Sequence, residues 1–302
     1  MTAAWLKGLF PPIPTAFSAD GSLRPPPPGW LSFLAGAGLD GVVALGSNGE
    51  AANLTEAERL EWIRAVRSEL PAPLHLIVGT GADSTLATIE RTRAAADLGA
   101  EAALVIAPNY YRRSLTADAL RRHYHAVAEA SPIPILIYNI PPHMGYDLTT
   151  DWVLTMARES DLAGIKESSG DLSRLPELRR GLGPEFALLT GTGEKLVTAL
   201  EGGADGGIAA LANLAPAESV AVRTAWRAGR ADEARRHQSL IAPLGEALTR
   251  GFGVAGVKAG VRMLGYDHGD PRAPVPPLSA SDQARLRGLL EQARLVPGAL
   301  AS

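Results

Sequence analysis

The chain holds 302 residues, 46% of them hydrophobic and 20% charged, with a formal net charge of −3, which is ordinary for a globular protein. So even a charge balance offers no basic face for nucleic acid or an anionic membrane, and the absence of cysteine excludes disulfides, thiolate nucleophiles and cysteine-ligated zinc. Residues 1–17 contain one lysine, an early proline pair and no long apolar run, so they do not read as a signal peptide; elsewhere Gly, Pro or charge interrupts every apolar run before it reaches membrane-spanning length, and a cytoplasmic location is expected.

Taken in chain order, eight apolar, β-rich runs recur at 9–17, 41–46, 74–79, 102–108, 134–140, 162–166, 186–190 and 207–211, each followed by a helical pattern. Near-continuous hydrophobicity is how parallel strands buried on both faces read. The segment 55–70 opens on Thr55 with Glu58 three residues on, a capping-box pattern, and carries apolar residues at helical spacing; 84–98, 116–130, 149–160 and 216–228 behave likewise. Strand–helix alternation without a G-x-G-x-x-G element favours a (β/α)₈ TIM barrel over a doubly wound open sheet, although the pattern alone leaves both topologies open. After Ala228 the alternation stops, and 230–250, 254–265 and 279–295 read as helices. The expected organisation is a barrel over 1–228 carrying the active site and a C-terminal helical extension over 229–302.

Active sites of such barrels lie at the C-terminal ends of the strands. Here those ends carry Gly46-Ser47-Asn48-Gly49-Glu50, Gly79-Thr80-Gly81, Pro108-Asn109-Tyr110-Tyr111, Tyr138-Asn139, Lys166-Glu167-Ser168-Ser169-Gly170 and Gly191-Thr192-Gly193, which describes a small polar pocket. The chain has four lysines, Lys7, Lys166, Lys195 and Lys258. Lys166 closes an apolar run. If its stem is buried, burial lowers its pKa and frees a neutral amine to attack a carbonyl and form a Schiff base; a lysine snorkelling at a strand end is the other reading. Lys195, at a helix start, reads as solvated; Lys258, on a Gly/Ala-rich helix, reads as a packing residue; Lys7 is terminal. Tyr138, near the same end of the neighbouring strand, is placed either to shuttle protons or to fill the barrel core. The Gly46–Glu50 turn offers Ser47 and backbone N–H groups as a cradle for a carboxylate. Metal chemistry has little support: His123 and His125 face different ways on one helix, the other histidines are scattered, and no H-E-x-x-H, P-loop or nucleophile elbow occurs.

The turn Gly46-Ser47-Asn48-Gly49-Glu50, the Tyr138-Asn139-Ile140-Pro141 segment, the Gly164-Ile165-Lys166-Glu167-Ser168 segment and the Gly-Gly…Ala212-Asn213 segment stand in an order and spacing that resembles the N-acetylneuraminate lyase / dihydrodipicolinate synthase family of class I, Schiff-base aldolases, from about Leu9 to Leu290. That resemblance implies that Lys166 forms the imine with pyruvate and that Tyr138 shuttles protons. It implies that Ser47 links Tyr138 to Tyr110, with Tyr110 reaching in from a neighbouring subunit. Ser47 and Asn48 would hold the pyruvate carboxylate, and Gly191 and Ile208 would line the pocket. A homotetramer built as a dimer of dimers and no cofactor are also implied. Dihydrodipicolinate synthases usually carry Thr where this chain has Asn48, and an Arg after the Y-N-x-P segment where it has Pro142-His143-Met144. The turn itself, Leu54–Glu61, Ser131–Pro134 and Ala210–Asn213 look more like mitochondrial-type 4-hydroxy-2-oxoglutarate aldolase, in which reading Ser168 lies close to the imine and contacts substrate. The expected reaction is therefore cleavage of 4-hydroxy-2-oxoglutarate, or a related 4-hydroxy-2-oxo acid, to pyruvate and glyoxylate or another aldehyde. The alternatives are condensation of pyruvate with aspartate semialdehyde, with His143, Arg112 or Arg113 replacing the missing arginine, and a 2-oxo-acid sensor without turnover.

Overall fold

The structure, a computed structural model, describes residues 4–296. In chain order it contains β1 (Leu9–Phe10), α1 (Trp30–Gly36), β2 (Gly41–Ala44), α2 (Glu56–Glu69), β3 (His75–Gly79), α3 (Thr85–Asp97), β4 (Ala102–Ile106), α4 (Ala117–Ala130) and β5 (Ile135–Asn139). There follow α5 (Pro141–Met144), α6 (Thr150–Glu159), β6 (Gly164–Glu167), α7 (Leu175–Gly181), β7 (Ala187–Thr190), α8 (Leu196–Glu201), β8 (Gly206–Ile208) and α9 (Pro216–Arg227). Three helices, α10 (Ala231–Ala247), α11 (Gly253–Met263) and α12 (Ala280–Gln292), form the C-terminal extension. The outermost residues of the two expected units, 1–3 and 297–302, lie outside the described residues. Among the described residues, no helix is long and apolar enough to cross a membrane.

All eight strands pair in parallel, in the order β1-β8-β7-β6-β5-β4-β3-β2. A bridge from Pro12 to Val43 closes the ring, with Ile13 N–H donating to the Val43 carbonyl at 2.9 Å and Val43 N–H to the Pro11 carbonyl at 2.9 Å. The architecture is a (β/α)₈ barrel. The first strand is shorter than the sequence suggests, because Pro11, Pro12 and Pro14 have no N–H to donate and the ladder stops after Phe10. The eighth is displaced by one residue and ends at Ile208, where the chain turns into a 3₁₀ segment, Ala210–Asn213.

Period-two alternation sorts the strand residues into two layers. Val43, Ile77, Leu104, Leu136, Tyr138, Leu189 and Ile208 fill the barrel interior, and Leu6 of the short N-terminal turn joins them. Ile135, Ile137, Ile165 and Leu188 face outward and pack beneath helices. Lys166, two residues after Gly164 and directly beside Tyr138 in the ladder, therefore belongs to the interior layer, and Glu167 to the layer behind it. The helix starts read from sequence are real caps: Thr55, Ser84, Thr116, Thr149 and Ser279 each accept an N–H of the first turn, a contribution of about 1 kcal/mol apiece.

The extension shares a core with the barrel. Val257 and Val261 of α11 and Leu286 and Leu290 of α12 join Phe17, Trp30, Leu45 and Trp62 in one buried cluster. The helix expected over 230–250 stops at Ala247; Leu248–Phe252 forms a π-turn, and Gly253, at φ +52°, redirects the chain into α11.

Candidate active site

The C-terminal ends of the strands open into a cavity of about 840 Å³. Ser47, Asn48, Tyr138, His143, Lys166, Ser168, Gly191 and Ile208 all line it, so eight positions singled out in the sequence converge on one space. Tyr110 does not. It lies on the loop after β4, 76% exposed, in edge-to-face contact with Tyr111.

Lys166 is 4% exposed. Its Nζ sits over the Tyr138 ring, 4.0 Å from the centroid, and among the described residues it meets no carboxylate and makes no hydrogen bond. The amine is thus buried at the barrel mouth with no acidic side chain paired to it. The Tyr138 hydroxyl lies 3.3 Å from Ser47 Oγ, close enough for a proton to pass between them. A phenol and an amine thus stand side by side on neighbouring strands.

The turn that brings Ser47 to this point is strained and tightly held. Leu45 and Glu50, at either end of it, have φ of +56° and +50°, which non-glycine residues seldom adopt. Gly79 on β3 must be glycine, since a Cβ there would overlap the Leu45 carbonyl. Thr15 Oγ1 donates to the Gly49 carbonyl at 2.6 Å. The turn's outward-facing acid, Glu50, is buried, and its Oε1 lies 2.6 Å from Lys258 Nζ on α11. Its Oε2 accepts the Arg272 N–H at 2.8 Å. Lys258 also donates to the Asp270 carbonyl at 3.0 Å and lies over the Phe17 ring. Burial pulls the Lys258 ammonium below its ordinary pKa, while Glu50 opposes the shift. The sequence suggested a packing role for Lys258; instead it is half of a buried ion pair that ties the extension to the turn. Within the turn, the N–H groups of Ser47 and Asn48 have no acceptor among the described residues, so they remain available to an anion.

A second buried network stands behind the lysine and the tyrosine. Asn139 Nδ2 donates to Glu167 at 2.9 Å and to Asp147 at 2.7 Å. Arg174 reaches Asp147 at 3.0 Å and Glu167 at 3.3 Å, and donates to the Leu148 carbonyl at 2.5 Å. These residues follow Tyr138 and Lys166 in sequence but face the helix layer, so they fix the two strand ends without entering the cavity. Their one sequence signal was a pair of polar residues, Asn139 and Glu167, closing otherwise apolar strands.

Ser168 Oγ is buried and has no partner, and it occupies the space that a Cβ on Gly191 would need. The bare backbone of Gly191 thus makes room for a hydroxyl left free to bond a ligand. His143, on the exposed rim, has its pKa lowered by partial desolvation and by the charge of Lys166. Arg112 and Arg113 are exposed, and neither lines the cavity. Lys195, expected to be solvated, is half-buried and does line it. Among the described residues, no group of three or more His, Cys, Asp or Glu could hold a metal ion.

The fold and site define a barrel enzyme organised around one buried lysine at the mouth. Comparison with known proteins narrows this. The chain matches the model of the dihydrodipicolinate synthetase family over residues 5–293. It is 37% identical to 4-hydroxy-tetrahydrodipicolinate synthase from Methanothrix thermoacetophila, covering 94% of this chain and 96% of the relative. It is 36% identical to "Probable 4-hydroxy-2-oxoglutarate aldolase, mitochondrial" of Emericella nidulans, covering 85% and 84% respectively. Among solved structures, chloride-inhibited dihydrodipicolinate synthase from Acinetobacter baumannii, complexed with pyruvate, superposes with a TM-score of 0.90 at 31% identity, covering 96% of this chain and all of that one. The chain belongs to the dihydrodipicolinate synthetase family and is a lyase of the Schiff-base aldolase type.

Proposed function

We propose that the protein cleaves a 4-hydroxy-2-oxo acid, 4-hydroxy-2-oxoglutarate in preference, to pyruvate and an aldehyde, glyoxylate. The observation that carries this reading is Lys166: buried, unpaired, 4.0 Å over the Tyr138 ring, in the same cavity as Ser168. The neutral amine attacks the C2 ketone. Tyr138, through Ser47, supplies and removes the protons that convert the carbinolamine to a protonated imine. The iminium draws the C3–C4 bonding pair toward itself as the 4-hydroxyl gives its proton to the tyrosine, and glyoxylate leaves. The resulting enamine is protonated at C3, and water releases pyruvate and regenerates the amine. The N–H groups of Ser47 and Asn48 hold the C1 carboxylate, Gly191 and Ile208 bound the pocket, and Ser168 bonds the substrate beyond the imine.

The active form is a homotetramer, a dimer of dimers in which Tyr110 extends the proton path from a neighbouring subunit; its exposure in the single chain supports this. Condensation of pyruvate with aspartate semialdehyde is a second reading, favoured by the name of the Methanothrix thermoacetophila relative. Against it stands Pro142-His143-Met144 where that activity expects an arginine. Initial rates with 4-hydroxy-2-oxoglutarate, and coupled rates with pyruvate plus aspartate semialdehyde, decide the matter. Faster release of pyruvate from the hydroxy-oxo acid supports the proposal, and faster consumption of the semialdehyde overturns it.

A further inference from the structure

Proceeding from the aldolase reading above, we propose that Arg250, with Lys195 on the same cavity, forms a subsite for a second carboxylate at the far end of the substrate, so that the natural substrate is a dicarboxylic acid. Arg250 belongs to the π-turn Leu248–Phe252, where α10 loses its regular winding, and the turn forms part of the wall of the cavity that contains Lys166. Lys195, at the end of the short 3₁₀ turn Gly193–Lys195 that follows β7, lines the same cavity. Among the described residues, neither cation makes a hydrogen bond or an ion pair through its charged end.

Two carboxylates line the cavity as well, and both are occupied. Glu194 accepts from Thr249 Oγ1 at 3.3 Å; burial raises its carboxyl pKa, and the nearby charge of Lys195 opposes that shift in part. Asp282 accepts from Ser279 Oγ at 2.8 Å, in the cap of α12. Arg112 and Arg113, the other arginines considered for this role, do not line the cavity. A five-carbon 2-oxo diacid whose C1 end meets the Ser47–Asn48 turn and whose C2 is bound to Lys166 would have its other carboxylate inside the cavity that Arg250 and Lys195 also line. A guanidinium holds a carboxylate through two parallel bonds that a neutral terminus cannot form.

The test uses the full-length protein and does not require turnover. Pyruvate and borohydride label Lys166, and two competitors of equal length are compared: 2-oxoglutarate and 2-oxopentanoate. Wild-type protein is expected to be protected by 2-oxoglutarate at roughly tenfold lower concentration, or less, than by 2-oxopentanoate. Arg250→Gln removes most of that preference while pyruvate labelling stays within about twofold, and Arg250→Lys retains part of it. Equal protection by the two acids in wild type, or an undiminished preference in Arg250→Gln, overturns the subsite and leaves the aldolase reading standing. If pyruvate labels no lysine at all, the aldolase reading fails and this inference falls with it.

Discussion

Replacing Lys258 by Met tests how far the extension sustains the active-site turn. The substitution keeps the stem length and removes the ammonium that lies 2.6 Å from Glu50 Oε1, at a place where both side chains are 2% exposed or less. A buried carboxylate left without its cation destabilises a fold by about 3–5 kcal/mol. The surviving Arg272 N–H at 2.8 Å and Asn53 Nδ2 at 3.3 Å still bond Glu50, so the lower end, about 3 kcal/mol, is expected. Adding Glu50→Gln removes the stranded charge and should restore about 1–2 kcal/mol, which is a coupling between the two sites. Urea unfolding at neutral pH measures the three variants. Pyruvate labelling of Lys166 in native buffer reports the turn itself, and it should weaken in Lys258→Met well below the unfolding midpoint. Lys258→Met as stable as wild type, or a double variant no better than the single one, would refute the reasoning.

Tyr138→Phe keeps the ring beneath Lys166 but removes the proton carrier; turnover should fall by roughly 10²–10⁴ while the fold, read by circular dichroism, is unchanged. Gly191→Ala pushes a methyl group into Ser168 Oγ and should lower kcat/KM by roughly tenfold or more, with Ser168→Ala in the same chain recovering part of the loss; no loss would mean that the serine is not held against the glycine. Two buried histidines make the fold acid-sensitive. Burial lowers His123 from 6.5 to about 4 and His268 from 6.5 to about 3. The unfolded chain takes up these protons first, so stability is full above pH 6.5 and is lost as pH falls toward 4 and then 3, on the order of 3 kcal/mol for His123 alone. Denaturant midpoints across that range should flatten in His268→Gln, and an unchanged slope would contradict this.

Much of the barrel was legible because parallel strands buried on both faces leave apolar runs, and because caps such as Thr55 and Ser279 mark helix starts with one residue. Lys166, Tyr138 and Ser47 were found because three short motifs kept their order. What escaped sequence reading depends on contacts between distant segments. Nothing near Lys258 announces Glu50, and Arg250 looked like the end of a continuous helix, although the Gly251-Phe252-Gly253 stretch after it was a signal that the winding changes. The first strand was overextended because its apolar content was counted and the missing N–H groups of its prolines were not. Left-handed φ at Leu45 and Glu50 has no sequence signature; the surrounding contacts impose it.

The proposed chemistry depends on where pyruvate becomes covalently attached. Borohydride reduction in the presence of pyruvate, followed by peptide mass mapping, locates that attachment directly. Modification of Lys166, absent from Lys166→Ala, is the predicted result; modification of Lys195 or Lys258 instead, or of no lysine, would contradict the assignment of Lys166 as the imine-forming residue.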